Sequence, residues 1–154
     1  SQKMMGDIRQ LVYALRPPAL DDFGLIGALR EVISRVAPPT LHIEFHMPEV
    51  LPPLPAAVEV AAYRIAQEAI TNVVKHAQAT QCIIRIALAA RQTQPDTFIL
   101  ELCDDGIGVA ADARSGVGMH SMRERAEELG GTLIVTPNQP RGTVVRAALP
   151  VVLL

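Results

Sequence analysis

At 154 residues the chain is sized for one domain, and at 49% hydrophobic it can fill a core of that size. A formal charge of -2 and an aromatic content of 3% supply neither the electrostatic footprint nor the stacking platform that direct nucleic-acid binding requires. No apolar run reaches the roughly 18–20 residues of a bilayer span, and the opening SQKMMGDIRQ lacks the basic-then-apolar pattern of a secretion signal.

The chain opens without Met, so a fragment is expected, a cytoplasmic domain whose parent would reach any membrane through other parts. Residues 7–15 (DIRQLVYAL) carry Ile8, Leu11, Val12 and Leu15 at spacings of three and four, which predicts a helix. Pro17-Pro18 stops it, since proline lacks a donor and restricts the residue before it. Asp21 or Asp22 is placed to cap a second helix. Its apolar positions run from Leu25 to Val36, and Pro38-Pro39 ends it. Residues 41–47 alternate as a strand, and the proline-rich 48–55 reads as a loop. A long helix is predicted over 56–77. Residues 81–89 and 97–103 are rich in Ile and Leu and are expected as strands joined by the polar 91–96.

Residues 104–118 hold Gly106, Gly108, Gly116 and Gly118 and read as a loop. A helix over 119–129 follows, terminated by Gly130-Gly131. Strands at 132–136 and 143–149 flank a turn at 137–142. Adjacent strands with short links favour antiparallel pairing. The expected fold is therefore α/β, a two-layer sandwich in which helices cover one face of a mixed, mostly antiparallel sheet. Cys82 and Cys103 lie in strand-like runs without the neighbours that metal ligation needs, and are expected to be buried reduced thiols.

Four short patterns carry chemistry. On the long helix, Arg64, Glu68, Asn72 and His76 recur every four residues, with Lys75 beside them, so a polar stripe crosses an otherwise apolar helix. An amide oxygen and a carboxylate one turn apart can serve Mg²⁺, directly or through water. A lysine and a histidine one turn further on can meet phosphate oxygens. The same stripe also fits a plain solvent face. The second pattern is Asp104-Asp105-Gly106-Ile107-Gly108, at the end of a strand. Its carboxylate can accept a hydrogen bond from a ligand and its glycines allow close backbone approach, although Asp-Gly turns are common.

The third is Gly116-Val117-Gly118-Met119 leading into a helix, whose free N–H groups can take an anion. It is neither a GxxxxGK[ST] loop nor a dinucleotide fingerprint. The fourth is Gly142-Thr143, where the hydroxyl can support a neighbouring carboxylate. Each is weak alone; in this order, on these elements, they reinforce one another.

Together they resemble the histidine kinase and Hsp90-like ATPase superfamily: EAITNVVKHA resembles its N box, DDGIG its first glycine box, GVGM its second and GT its late threonine motif. The match covers roughly residues 41–150. The segment IRQLVYALRPPALDDFGLIGALREVI resembles the junction of dimerisation helix and catalytic domain in one branch of sensor histidine kinases. That branch is paired with LuxR-type response regulators.

The resemblance implies a division into residues 1–20, the end of a dimerisation helix and linker, and 21–154, the ATP-binding catalytic domain of Bergerat type. It implies that Asp104 accepts the adenine amine, supported by Thr143, and that Asn72 ligates Mg²⁺ with Glu68 assisting the metal or orienting a water. Lys75 and His76 would contact phosphates, and Gly106, Gly108, Gly116, Gly118 and Met119 would shape the nucleotide loop. Asp105 stands where asparagine is common, with little consequence expected.

Between Gly108 and Gly116 lie seven residues, a very short ATP lid that suits this branch rather than Hsp90, gyrase or mismatch-repair ATPases. None of His42, His46, His76 and His120 sits in the ELHD-like helical context of a phosphate acceptor. His42 and His46 are expected at the surface, and Arg123-Glu124-Arg125 on a solvated helix face. The implied function is a protein histidine kinase domain using ATP and Mg²⁺, homodimeric through upstream helices and with a response regulator as partner. The alternatives are an anti-sigma-factor-type serine kinase and a non-catalytic interaction domain with a degenerate nucleotide site.

Overall fold

The computed structural model describes residues 16–91, 94–108 and 117–151; the helix expected over 7–15 and Gly116 lie outside them. The first helix, α1 (Pro18–Val36), starts earlier than the aspartates expected to cap it. Pro18 takes the first helical position, where a missing N–H is harmless, and Pro17 precedes it without a side-chain cap. Asp21 instead lies in the first turn and pairs with Arg16 at 2.6 Å. Gly24 breaks α1 into two segments at φ 71°, ψ 179°, a backbone region that essentially only glycine occupies. Beyond the break, Leu25, Ala28, Leu29 and Val32 are buried at the expected helical spacing. The division expected at residue 20 falls within α1, and Leu20 packs in the same core as Leu25.

The edge strand β1 (His42–His46) leads through the proline-rich loop to α2 (Ala56–Asn72). The apolar spacing predicts one continuous helix over 56–77. The chain instead widens after Asn72 into a single π-helical turn, Val73–Ala77, ended by Gln78 in the left-handed conformation. Such local π turns recur at functional sites. There follow β2 (Gln81–Arg91), β3 (Gln94–Asp104), α3 (Val117–Glu128), β4 (Thr132–Pro137) and β5 (Thr143–Val151).

The five strands form one sheet in the order β1-β2-β3-β5-β4, with β1 and β2 parallel and every other pair antiparallel. One sheet face presents Ile84, Phe98, Leu100, Leu102, Ala147 and Leu149, all at 1% exposure or less. Against it packs the small-residue face of α2, with Ala62, Ala66 and Ala69 bringing the backbone close and Ile65 and Ile70 filling the gaps. Each large aliphatic side chain so buried contributes about 1.5–3 kcal/mol. Met119, Met122 and Ala126 of α3 complete that layer.

The opposite face mixes charged and aliphatic side chains, among them the exposed Ile134. Glu101 lies between Arg146 at 3.0 Å and Arg85 at 3.9 Å across three strands. The two thiols split between the faces, which corrects the expectation that both are buried. Cys82 is buried, and burial pushes its thiol up to about 12. Cys103 is half-buried beside Arg85 on the open face.

Candidate functional site

Alternation along β3 carries Phe98, Leu100 and Leu102 into the core, and the same alternation drives Asp104, its last residue, to the same face. Asp104 and Thr143 are the two buried polar side chains among the described residues, at 4% and 5% exposure. They meet where β3 ends and β5 begins. The Asp104 Oδ1 atom accepts the Gly106 N–H at 2.8 Å. Burial pushes the Asp104 carboxyl above its ordinary range, and the backbone N–H groups of Gly106 and Thr143 partly offset that.

The turn after Asp104 is held from three sides. Gly106 packs on the π turn so closely that a Cβ there would overlap the Ala77 carbonyl oxygen, and the Ile107 N–H donates to that same oxygen at 2.8 Å. Gly142, at φ 106°, lies against the Asp104 carbonyl with no room for a Cβ. Asp105 points away from Asp104, accepting the N–H of Thr80 at 2.8 Å, its hydroxyl at 2.7 Å and the N–H of Gln81 at 2.9 Å. The Gln81 and Thr80 bonds hold the Asp105 carboxyl below its ordinary range. Asp105 ties this turn to the start of β2.

The polar stripe of α2 is not a plain solvent face, because Arg64, Glu68 and Asn72 are half-buried and only Lys75 and His76 are exposed. A Cβ on Gly118, in the first turn of α3, would collide with the Glu68 carboxylate, so that helix start and the stripe are in contact. Asn72 is the last residue of α2, and Lys75 and His76 ride on the π turn whose final residue, Ala77, holds Gly106. The Arg64 Nε atom is buried without a partner, while another guanidinium nitrogen reaches Gln67 at 3.3 Å.

Met119 is buried in the core. His120 is exposed, 3.9 Å from Glu124. His42 and His46 are exposed on either side of Glu44. Asp104, Gly106, Gly108, Gly142 and Thr143 thus form one cluster, Glu68 and Gly118 form another, and the π turn connects them.

Two further residues, Asn138 and Arg141, shape the cluster without having been singled out in the sequence. Both lie in the β4–β5 turn, where the run Asn-Gln-Pro-Arg-Gly marks a turn but not what its side chains reach. Asn138 Nδ2 donates to the Asp104 carbonyl at 2.8 Å, and Arg141 Nε donates to the Gly106 carbonyl at 2.9 Å. An open groove of ≈ 490 Å³ runs between that turn and Ile107-Gly108 and reaches Thr143.

These features define an α/β sandwich that gathers a buried carboxylate, two glycine turns and a polar helix stripe beside one another. The chain belongs to the histidine kinase-, DNA gyrase B- and HSP90-like ATPase family, whose model matches residues 57–153.

Among curated proteins it is 31% identical over 153 residues to the oxygen sensor histidine kinase NreB of Staphylococcus carnosus, covering 97% of this chain and 43% of NreB. It is 32% identical over 148 residues to the signal transduction histidine-protein kinase/phosphatase UhpB of Salmonella typhimurium, covering 93% of this chain and 28% of UhpB. The chain therefore spans less than half the length of these relatives. Among solved structures, the histidine kinase domain of the Erythrobacter litoralis EL346 blue-light activated histidine kinase superposes with a TM-score of 0.65 at 18% identity, over 82% of this chain and 59% of that one. The ATP binding domain of PrrB from Mycobacterium tuberculosis superposes with a TM-score of 0.59 at 21% identity, over 85% of this chain and 94% of that one. These superpositions bear out the expected two-layer fold. No helix among the described residues is long and apolar enough to cross a membrane.

Proposed function

We propose that this chain is the ATP-binding catalytic domain of a two-component sensor histidine kinase. It delivers the γ-phosphoryl group to a histidine on the dimerisation helices of its parent, and the phosphate passes on to an aspartate of a response regulator with LuxR-type output. The observation that carries this reading is the pairing of Asp104 with Thr143, the two buried polar side chains among the described residues, beside the glycine turn. A carboxylate has more acceptor sites than the backbone N–H groups of Gly106 and Thr143 fill, and an exocyclic adenine amine can donate to one that remains. The curated relatives named above are sensor kinases, which favours this over the serine-kinase and interaction-domain alternatives.

The residues present fit Mg-ATP. Asp104 and Thr143 would receive adenine, the absent side chains of Gly106 and Gly118 let their segments approach Ala77 and Glu68, and Gly108 and Gly116 would belong to the nucleotide loop. Glu68 and Asn72, one turn apart, offer oxygen donors of the type Mg²⁺ takes. When bound, Mg²⁺ would neutralise charge on the phosphates. Lys75 and His76, exposed on the π turn, would meet phosphate oxygens.

The domain's own work is positioning and charge neutralisation, with the nucleophile supplied from elsewhere. Residues 1–20 would be the end of the dimerisation helix and its linker, and the parent would dimerise through the helices before it. Incubating the chain with γ-labelled ATP tests this assignment. Bound nucleotide without phosphohistidine is the expected result; strong labelling of His42, His46, His76 or His120 would contradict an external acceptor.

A further inference from the structure

The peptide joining Gly106 to Ile107 is gripped at both poles. Its N–H donates to Ala77 on the π turn at 2.8 Å, and its carbonyl accepts Arg141 Nε at 2.9 Å. One peptide earlier, the Gly106 N–H orients the Asp104 carboxylate, and one peptide before that the Asp104 carbonyl is held by Asn138 Nδ2 at 2.8 Å. Asn138 also closes its own turn, donating its N–H to the Gly142 carbonyl at 2.9 Å while its Oδ1 accepts the Gln139 N–H at 2.9 Å. Gly142 completes the seat by letting the turn lie directly on the Asp104 carbonyl.

The β4–β5 turn thus spends two polar side chains on the carbonyls of a segment more than thirty residues away in sequence. A hairpin turn has no local need for either bond. Their shared effect is to fix the 104–105 and 106–107 peptide units, which flank the peptide whose N–H orients the Asp104 carboxylate.

We infer that Arg141 and Asn138 are positioning residues for base recognition: they clamp the first glycine turn so that the Asp104 carboxylate is pre-aimed at the nucleobase. This rests on the nucleotide-site reading above. Neither residue needs to touch the nucleotide. Pre-ordering the turn lowers the cost of binding, and loosening it moves that cost into the dissociation constant. A mis-aimed acceptor also loses discrimination between adenine, which presents an amine, and guanine, which presents a carbonyl at the equivalent position.

Calorimetric titration of the 154-residue chain with Mg-ATP and Mg-GTP, beside ligand-free thermal melting, tests this. The wild type is measured first; binding to neither nucleotide would overturn the nucleotide-site reading itself, and this inference with it. Given wild-type binding, Arg141→Ala is expected to weaken ATP about tenfold while GTP changes less, since one hydrogen bond from a charged donor is lost. Arg141→Lys, which still presents a donor, is expected to recover most of the affinity, and Asn138→Ala to resemble Arg141→Ala.

Ligand-free melting of Arg141→Lys should match the wild type, which keeps the test sound should the alanine variants melt early. Unchanged ATP affinity in Arg141→Ala, or equal loss of ATP and GTP, would overturn the clamp. So would a lysine variant that restores melting but not the preference for adenine.

Discussion

Gly118 lies directly against Glu68: a single Cβ at 118 would occupy the space of the Glu68 carboxylate. The obstructing atom is the end of a flexible side chain rather than backbone, so the fold can yield at this point while the site cannot.

Gly118→Ala is therefore expected to fold. Its ligand-free stability should stay within about 1 kcal/mol of wild type, since alanine also favours the helix by about that amount. Mg-dependent nucleotide affinity should fall, because Glu68 is displaced. Titration with ATP in the presence and absence of Mg²⁺ reads the effect, and an unchanged Mg²⁺ dependence would separate Glu68 from the metal.

Two other closely packed glycines, at the first glycine turn and the β4–β5 turn, behave differently. At Gly106 and Gly142 an added Cβ meets the backbone carbonyls of Ala77 and Asp104, and Gly142 has a positive φ as well. Gly142→Ala is expected to cost about 2–4 kcal/mol, combining overpacking with left-handed strain. Urea denaturation of the ligand-free chain measures it, and a cost near zero would mean that the turn is free to move off Asp104.

Asp105 makes three hydrogen bonds to Thr80 and Gln81. Asp105→Ala is expected to destabilise the domain by about 0.5–1.5 kcal/mol, because the exposed donors of Thr80 and Gln81 exchange a charged acceptor for water. The folded-state pKa of Asp105 is depressed. Its stabilisation is therefore fully present above the unfolded value of roughly 3.9 and is lost as pH falls through the folded value. The stability gap between wild type and Asp105→Ala should narrow in acid, as followed by denaturation between neutral pH and the acid limb.

Asp104 carries the opposite sign. Burial raises its folded pKa, so the folded state favours the protonated form. As pH rises past the unfolded value of roughly 3.9, the unfolded chain releases its proton first and stability drops, levelling off above the folded value. Relative to wild type, ligand-free Asp104→Asn should therefore gain stability as pH is raised from about 3 to 7, even as it loses ATP affinity. A relative stability that moves the other way would place the Asp104 carboxylate in a favourable charged environment instead.

Much of this architecture could be read from the residues. The spacing of apolar positions delivered the helices and strands in order, and the strand ending at Asp104 was legible because Phe98, Leu100 and Leu102 alternate up to the DDGIG turn. What stayed hidden shares a physical cause: it depends on contacts between segments remote in sequence. Nothing local distinguishes Asn72-Val73 as the point where an α-helix widens to a π turn. The aspartate pair gave no sign that Asp104 would turn inward and Asp105 back toward Thr80. Gly24 sits inside a good helical pattern, and only its backbone angles reveal a break. Arg141 and Asn138 looked like ordinary turn residues because their partners lie in another strand's end.

The most direct test of the account is the thermal stability of the chain with and without saturating Mg-ATP, run beside Asp104→Ala. At a nucleotide concentration of 100 times the dissociation constant, the wild type should gain about 2.7 kcal/mol, and the variant should gain little at the same concentration. A wild type that does not respond to millimolar Mg-ATP, or a variant that gains as much as the wild type, would contradict the assignment of this cleft to the adenine nucleotide.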